Sequence, residues 1–494
     1  MHEHAVVIVG SGFGGLCAAI RLIERGVRDL VILERGPSVG GTWRDNTYPG
    51  AACDVPSHLY SLSFAPNPAW SRTYPTQPEL RAYLERLAAD RGLLPYCRFG
   101  EDMVDARWDE GRKRWRVTTS RAVYSARAVV AATGGLAEPK LPDLPGLGNF
   151  RGATFHSARW DHAAPLEGKR VAVIGTGASA VQFVPAIAPR VGHLDVYQRT
   201  PNWIVPRRDT PYSPAAKWAF AHVPGLRHAY RAAIYGAHEL RVLGFVTHPG
   251  ILRAYQAVAL AHLRRQVDDP SLRRALTPDY TLGCKRVLLS NDWYPALRRP
   301  NVSLVTDGIR EIREHAVVTT DGVERPADVL IFGTGFHATE SPVAARVRGR
   351  GGVSLAEAWR DGEEAFRGTL VHGFPNLFLV VGPNTGLGHS SMVYMIEAQV
   401  DYIVRLLAHA EARGADVLEV TAAAQARYNR ALQARLAGSV WATGCRSWYR
   451  HRSGKITALW PGFTFGFRRA LRGIDPADYR QPQGGETPNP PPRT

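Results

Sequence analysis

What the 494-residue sequence does without excludes several kinds of protein at once. No apolar run reaches the roughly 20 residues that a bilayer-spanning helix needs, so no transmembrane segment is predicted. Lysine is scarce, at positions 113, 140, 169, 217, 285 and 455 alone, although Lys and Arg together number 61 and the formal net charge is +17. The arginines that supply this charge are dispersed, with no basic stripe, which argues against a nucleic-acid partner. A field of this sign instead draws in small phosphorylated molecules. The five cysteines, Cys17, Cys53, Cys97, Cys284 and Cys445, stand far apart without a Cys-x-x-Cys spacing. Neither zinc nor dithiol chemistry is predicted from them, no metal is expected, and a reduced, cytoplasmic setting is. A strand is read at Val6–Val9, which leaves no room for a signal peptide ahead of it. Apolar residues are also missing from 481–494, a stretch rich in Pro and Gly that is predicted to be a disordered tail. Elsewhere, 45% hydrophobic and 21% charged residues describe an ordinary globular chain, long enough for two or three domains.

Two segments of like pattern carry the first positive signal. Ala5–Val9 reads as a buried parallel strand, and Gly10-Ser11-Gly12-Phe13-Gly14-Gly15 follows before a helical pattern through Leu16, Ile20 and Ile23. This is the G-x-G-x-x-G order in its proper setting. Gly10 permits the tight turn, Gly12 lets a pyrophosphate approach the backbone, and Gly15 lets helix pack on strand. The next strand, Leu30 to Leu33, ends in Glu34, where an acid accepts hydrogen bonds from a ribose diol. The order recurs at Arg170–Ile174 with Gly175-Thr176-Gly177-Ala178-Ser179-Ala180 and a helix near Val181. Here the following strand, Leu194 to Tyr197, leads into Gln198-Arg199-Thr200. An Arg in that place pairs with a 2′-phosphate that a carboxylate would repel, so the second dinucleotide is expected to be NADPH.

The stretches Ala128–Gly134 and Asp328–Gly335 each run from an apolar strand into a small-residue turn, a pattern suited to passing the chain between nested domains. The predicted fold is α/β, with two Rossmann-like dinucleotide-binding domains. An FAD-binding domain is expected at 1–150 plus 376–480 and an NADPH-binding domain at 151–375, with a helical insertion at about 207–278. Aromatic and Leu positions in that insertion, among them Trp218, Phe220, Tyr230 and Tyr255, are read as helix packing.

Between the two units lies Phe150-Arg151-Gly152-Ala153-Thr154-Phe155-His156-Ser157-Ala158-Arg159-Trp160-Asp161. It resembles the F-x-G-x-x-x-H-x-x-x-W-(P/D) signature of type I Baeyer-Villiger monooxygenases at Phe150, Gly152, His156, Trp160 and Asp161. A second signature of that family is similar to Gly41, Trp43, Tyr48, Pro49, Gly50 and Asp54. The resemblance spans nearly the whole chain, from Val7 to about Phe467.

The resemblance implies an enzyme in which NADPH reduces FAD, O2 adds at the flavin C4a atom, and the resulting peroxyflavin converts a ketone to an ester or lactone. N- or S-oxygenation by the same chemistry stays open as the alternative. A flavin disulfide reductase would share both nucleotide units but needs a redox cysteine pair by the flavin, and no such motif is present. By resemblance, Arg286 in Gly283-Cys284-Lys285-Arg286-Val287 is the cation beside the peroxide, Asp54 is the acid that pairs with it, and Lys285 reaches the 2′-phosphate. Read from the residues alone, Arg286 would pass for a surface charge. Trp448 is similar to a Trp that holds the nicotinamide nucleotide from a loop flanked by Gly444 and Gly454. The cofactor-binding set implied is Gly10, Gly12, Gly15, Glu34, Thr42, Trp43, Asp54, Tyr60, Val104, Thr176, Gly177, Ala178, Ser179, Gln182, Arg199, Thr200, Lys285 and Trp448. His156 is read as a residue of domain positioning and NADPH handling, without an acid or base role, and His389 as structural. The segment Gly382–His389 is expected to carry the chain back over the flavin ring.

Overall fold

The structure is a computed structural model that describes residues 1–480 except His248, Ser341 and Arg446. The predicted tail at 481–494 lies outside the described residues. No helix among them is long and apolar enough to cross a membrane.

Two parallel-cored sheets organise the chain. In the first, the strands run in the order Val347–Arg348, Met103–Asp109, Arg114–Thr119, Val123–Ala131, His2–Val9, Leu30–Glu34 and Cys97–Phe99, and Leu377–Leu379 pairs with Val123–Ala131 off this path. His2–Val9 lies parallel to both neighbours, with Val7 opposite Val31 and Val129. Its inner residues Val6, Val7 and Ile8 are buried on both faces, as a near-continuous apolar run in a covered sheet requires. The second sheet has the order Val302–Val305, His193–Tyr197, Arg170–Ile174, Val329–Phe332 and Ala153–His156, and every pairing in it is parallel.

The chain leaves the first sheet after Val123–Ala131 and returns to it after Val329–Phe332. It rejoins earlier than the expected residue 376, because Val347–Arg348 already pairs with Met103–Asp109. A two-residue strand has no periodicity to reveal it in a sequence. Among the described residues, five helices stand between the strand Ile204–Val205 and its partner Leu288–Leu289: Pro214–His222, Leu226–Leu240, Val242–Val246, Pro249–Gln266 and Pro270–Ala275. The long helix Met392–Ala412, buried along most of its length, packs against the helix Phe13–Glu24 of the first unit, where Arg21 approaches Asp401 at 3.9 Å.

Candidate active site

The helices Phe13–Glu24 and Ala178–Ile187 each begin at a glycine, Gly12 and Gly177, that offers no side-chain cap. Their first N–H groups therefore need acceptors from elsewhere, and the residues that carry them line one cavity of about 1690 Å³. Uncapped helix N-termini with their positive dipole ends suit phosphate groups. The cavity runs from the first turn to the second and includes residues of the return segment, Gly382, Thr385 and Leu387.

Most residues singled out in the sequence meet on its wall: Gly10, Gly12, Glu34, Thr42, Trp43, Asp54 and Tyr60 from the first unit, Thr176, Gly177, Ala178, Ser179, Gln182, Arg199 and Thr200 from the second, and Lys285, Arg286 and Trp448. Gly15 is absent from the wall for a packing reason. A methyl group there would come within 1.8 Å of the Gly10 carbonyl oxygen, so it serves the helix–strand contact rather than the ligand.

Glu34 is buried and its acceptor sites are engaged by protein. Oε2 accepts from Ser11 N (3.0 Å) and Ser11 Oγ (2.6 Å), while Oε1 accepts from Gly36 N (2.7 Å) and faces Arg44 Nη1 (2.7 Å). Burial pushes this carboxyl up, but the Ser11 hydroxyl and the Arg44 charge outweigh it and hold it below the usual carboxylate range.

Val104 departs from expectation. On the strand Met103–Asp109 alternate side chains face opposite ways; Met103 lines the cavity, whereas Val104 is exposed and does not. The alternation of a strand second from the sheet edge does not reveal which parity faces inward. Phe150, Gly152, His156 and Trp160 are also absent from the wall. Trp160 is buried against Phe155 and Phe183, with ring centroids at 5.1 and 5.3 Å. A methyl group at Gly152 would lie 2.1 Å from the Asp328 carbonyl oxygen. His156 accepts from Ala158 N at Nδ1 (3.1 Å), and burial pushes its pKa down to about 4, so its imidazole is neutral at physiological pH. The linker signature thus forms the edge strand of the second sheet and packs around it.

The other signature clamps the two units together. Tyr48 donates to Gln182 Oε1 (3.0 Å), and the Gln182 amide exchanges hydrogen bonds with the backbone of Ala52 (2.9 and 3.3 Å). Trp43 Nε1 donates to the Tyr60 hydroxyl (3.3 Å), and the two rings meet edge to face.

The centre of charge is Arg286. Its Nε donates to Asp54 Oδ2 (2.8 Å), its Nη2 approaches the same oxygen at 2.6 Å, and Nη1 reaches the Leu387 carbonyl (3.5 Å). Asp54 raises the guanidinium pKa above its ordinary value, so the cation is permanent. Beside it, Tyr449 is buried on the cavity wall, and burial pushes its phenol up to about 12. The sequence reading passed over Tyr449; its place next to Trp448 was the available signal. Lys285 lies over the Tyr280 ring, 4.6 Å from its centroid, and burial together with the Arg199 charge lowers its pKa. Two cations that repel one another in this way form a ready seat for a dianion.

Cys284 and Cys445 are joined in a disulfide with Cα atoms 6.2 Å apart, a pairing that the sequence reading, which found no Cys-x-x-Cys spacing and expected a reduced setting, did not anticipate. A sequence separation of 161 hides the contact from any spacing rule. Neither sulfur-bearing residue lines the cavity, so the pair is not placed as the exchange partner of a disulfide reductase. Cys17, Cys53 and Cys97 are free and buried.

Residues 7–223 match the pyridine nucleotide-disulphide oxidoreductase family. The chain is 50% identical over 483 residues to a Baeyer-Villiger monooxygenase of Streptomyces coelicolor, covering 97% of this chain and 93% of the relative. Among solved structures it is similar to OTEMO in complex with FAD and NADP, with a TM-score of 0.86 and 27% identity over 95% of this chain and 97% of the other. It is equally similar to closed cyclohexanone monooxygenase, with a TM-score of 0.86 and 30% identity over 95% and 97%. The fold and site define a two-dinucleotide flavoprotein monooxygenase. The chain belongs to the Baeyer-Villiger monooxygenase family.

Proposed function

We propose that this enzyme binds FAD and NADPH and uses O2 to convert a ketone to an ester or lactone. The observation that carries the reading is the Asp54–Arg286 pair on the wall of a cavity that also holds both uncapped glycine turns. We assign FAD to the unit built on the first sheet, with Gly10, Gly12, Glu34, Thr42, Trp43, Asp54 and Tyr60 around it. NADPH goes to the second, with Thr176, Gly177, Ala178, Ser179, Gln182 and Thr200 along its backbone, Arg199 and Lys285 at the 2′-phosphate, and Trp448 over it. When bound, FAD supplies the two-electron and oxygen-transfer chemistry that no side chain can.

The protein residues contribute a fixed field. Arg286 keeps its charge throughout, because the paired carboxylate disfavours loss of the proton, and it faces the site where negative charge develops on the substrate carbonyl oxygen. A preorganised cation of this kind lowers that barrier without rearrangement. Asp54 orients the guanidinium, and the Leu387 carbonyl limits its swing. Tyr449 remains a neutral phenol and adds no competing charge. His156, neutral and off the cavity wall, takes no part in proton transfer.

The test is the Arg286→Ala variant. It should retain its yellow flavin and still be bleached by NADPH, since hydride transfer needs no such cation. Ketone conversion should fall about a hundred-fold or more, with hydrogen peroxide released instead. Conversion at near-unmodified rates would remove Arg286 from the mechanism. A product screen offering a ketone and a thioether, read as ester against sulfoxide, tests the reaction class itself.

A further inference from the structure

Cys284 immediately precedes Lys285 and Arg286, and Cys445 lies two residues before Ser447, where the cavity-lining run Ser447-Trp448-Tyr449 begins. Their disulfide therefore joins two walls of the cavity from behind: the segment carrying both cations and the loop carrying the aromatic pair. Apart from it, the loop is anchored by the buried Tyr449 ring and, further along, by Ser453 Oγ on the Asp361 carbonyl (2.9 Å) and His451 Nε2 beside Glu340 (3.2 Å), while the described stretch next to Cys445 has few such ties. Among the described residues, the hydrogen bonds around it are mostly local, Thr443 Oγ1 to the Val440 carbonyl, Tyr449 N to Ser447 Oγ and Arg450 N to the Ser447 carbonyl. Thr457 N donates to the Tyr449 carbonyl from the neighbouring turn (3.1 Å), and a long contact from Thr339 Oγ1 reaches the Trp448 carbonyl (3.4 Å). Trp448 itself is 49% exposed. Gly444 and Gly454, both at positive φ, bracket the loop. Cys445 is half-buried and reachable, whereas Cys284 is buried.

We propose that Cys284 and Cys445 are a thiol-redox modification site. Oxidised, the pair staples the Trp448–Tyr449 loop onto the Lys285–Arg286 segment and slows release of the nicotinamide nucleotide; reduced, it frees the loop. The effect on nucleotide release rests on the assignment of NADPH above. Formation follows from a peroxide such as hydrogen peroxide. The Cys445 thiolate attacks one peroxide oxygen, an S–O bond forms, the O–O bond breaks, and hydroxide leaves as water after taking a proton. The Cys284 thiol then attacks that sulfur, the S–S bond forms, the S–O bond breaks, and a second water leaves with the remaining proton. Two thiols lose two electrons in all, and one hydrogen peroxide becomes two waters. A dithiol reverses the reaction by exchange, becoming a disulfide itself. Because the pair lies off the cavity wall, oxidation state reports on the surroundings rather than on each turnover.

The experiment uses the flavin-loaded enzyme, treated either with hydrogen peroxide or with dithiothreitol and then freed of reagent. Non-reducing peptide mapping should show a Cys284–Cys445 linked peptide after peroxide and its loss after dithiothreitol. Native-state trypsin cleavage after Arg450 and Arg452 should be several-fold faster in the reduced enzyme. The Cys445→Ser variant should cleave at the fast rate under both treatments; it also stands in for Cys284→Ser, should that change beside Arg286 disturb folding. Release of NADP+ should be several-fold slower from the oxidised enzyme. Absence of the linked peptide at every peroxide concentration overturns the site, and equal cleavage of oxidised and reduced enzyme overturns the staple. Failure of the coenzyme assignment is seen separately, as equal KM for NADPH and NADH in both redox states while linkage and cleavage still respond.

Discussion

Gly10 and Gly175 share a φ of +102°, and a side chain at either would strike the carbonyl of the loop that crosses above it, Ala132 in the first unit and Gly333 in the second. The two turns differ at their third small residue. Gly15 has no space for a methyl, with the Gly10 carbonyl 1.8 Å from where it would be, whereas Ala180 carries one, fully buried. The facing loop compensates: a methyl on Gly333 would lie 3.2 Å from the Ala180 methyl, so the bulk has moved from loop to helix. They differ again at the far end of the next strand, where Glu34 is enclosed by Ser11, Gly36 and Arg44, while Arg199 is exposed beside Lys285. One backbone plan thus serves two ligands, with packing settled inside the turn and charge settled where the sheet ends.

The sharpest break in this comparison is a methyl exchange. Gly15→Ala forces a methyl into a backbone carbonyl and should cost several kcal/mol, more than ordinary overpacking of side chains, with the purified protein losing its flavin colour. Ala180→Gly in the other unit should cost only about 1 kcal/mol through helix propensity and leave the colour intact. Flavin absorbance and thermal unfolding of the two variants decide the matter, and equal losses would dissolve the distinction.

Coenzyme choice is the next largest effect. Removal of both charges, Arg199→Ala with Lys285→Ala, should raise the KM for NADPH about ten-fold or more per charge lost and leave NADH nearly unchanged. The pH dependence has a definite sign. Only the protonated ammonium of Lys285 binds phosphate, and burial lowers its pKa; preference for NADPH therefore declines as pH rises through that lowered value. Lys285→Arg should abolish the alkaline decline, since a guanidinium keeps its proton. A flat KM for NADPH across the alkaline range in the unmodified enzyme would count against Lys285.

A smaller effect concerns the contacts around the second unit and its insertion. His156 of the linker signature and His238, whose Nδ1 meets the His389 carbonyl (2.9 Å), are buried, and burial pushes both down to about 4. Their folded values lie below the ordinary value near 6.5, so the unfolded chain binds more protons in between. The stability they contribute is complete above about pH 6.5 and is lost as pH falls toward 4. Thermal unfolding should show Tm falling over this window, and less steeply in His238→Gln.

What the sequence determined by itself lay within short stretches. Each glycine turn is six consecutive residues between a strand and a helix, and the sterics that require glycine act between atoms a few bonds or one strand apart. The turn, the helix that follows and the choice of Glu34 or Arg199 at the strand end were therefore legible. The pairing of Asp54 with Arg286, 232 residues apart, came only through resemblance to a family, because no local rule selects one arginine among 55. Tertiary structure alone decided the rest. It turned Val104 outward and Met103 inward, since strand parity depends on which face the neighbouring sheet leaves open. It took Phe150, Gly152, His156 and Trp160 off the cavity wall and into the packing at the edge of the second sheet, because their partners, Phe183 and Asp328 among them, come from other elements. It also brought Cys284 to Cys445 across a sequence separation of 161, because closing so long a loop is a result of packing between folded elements and leaves no trace in spacing.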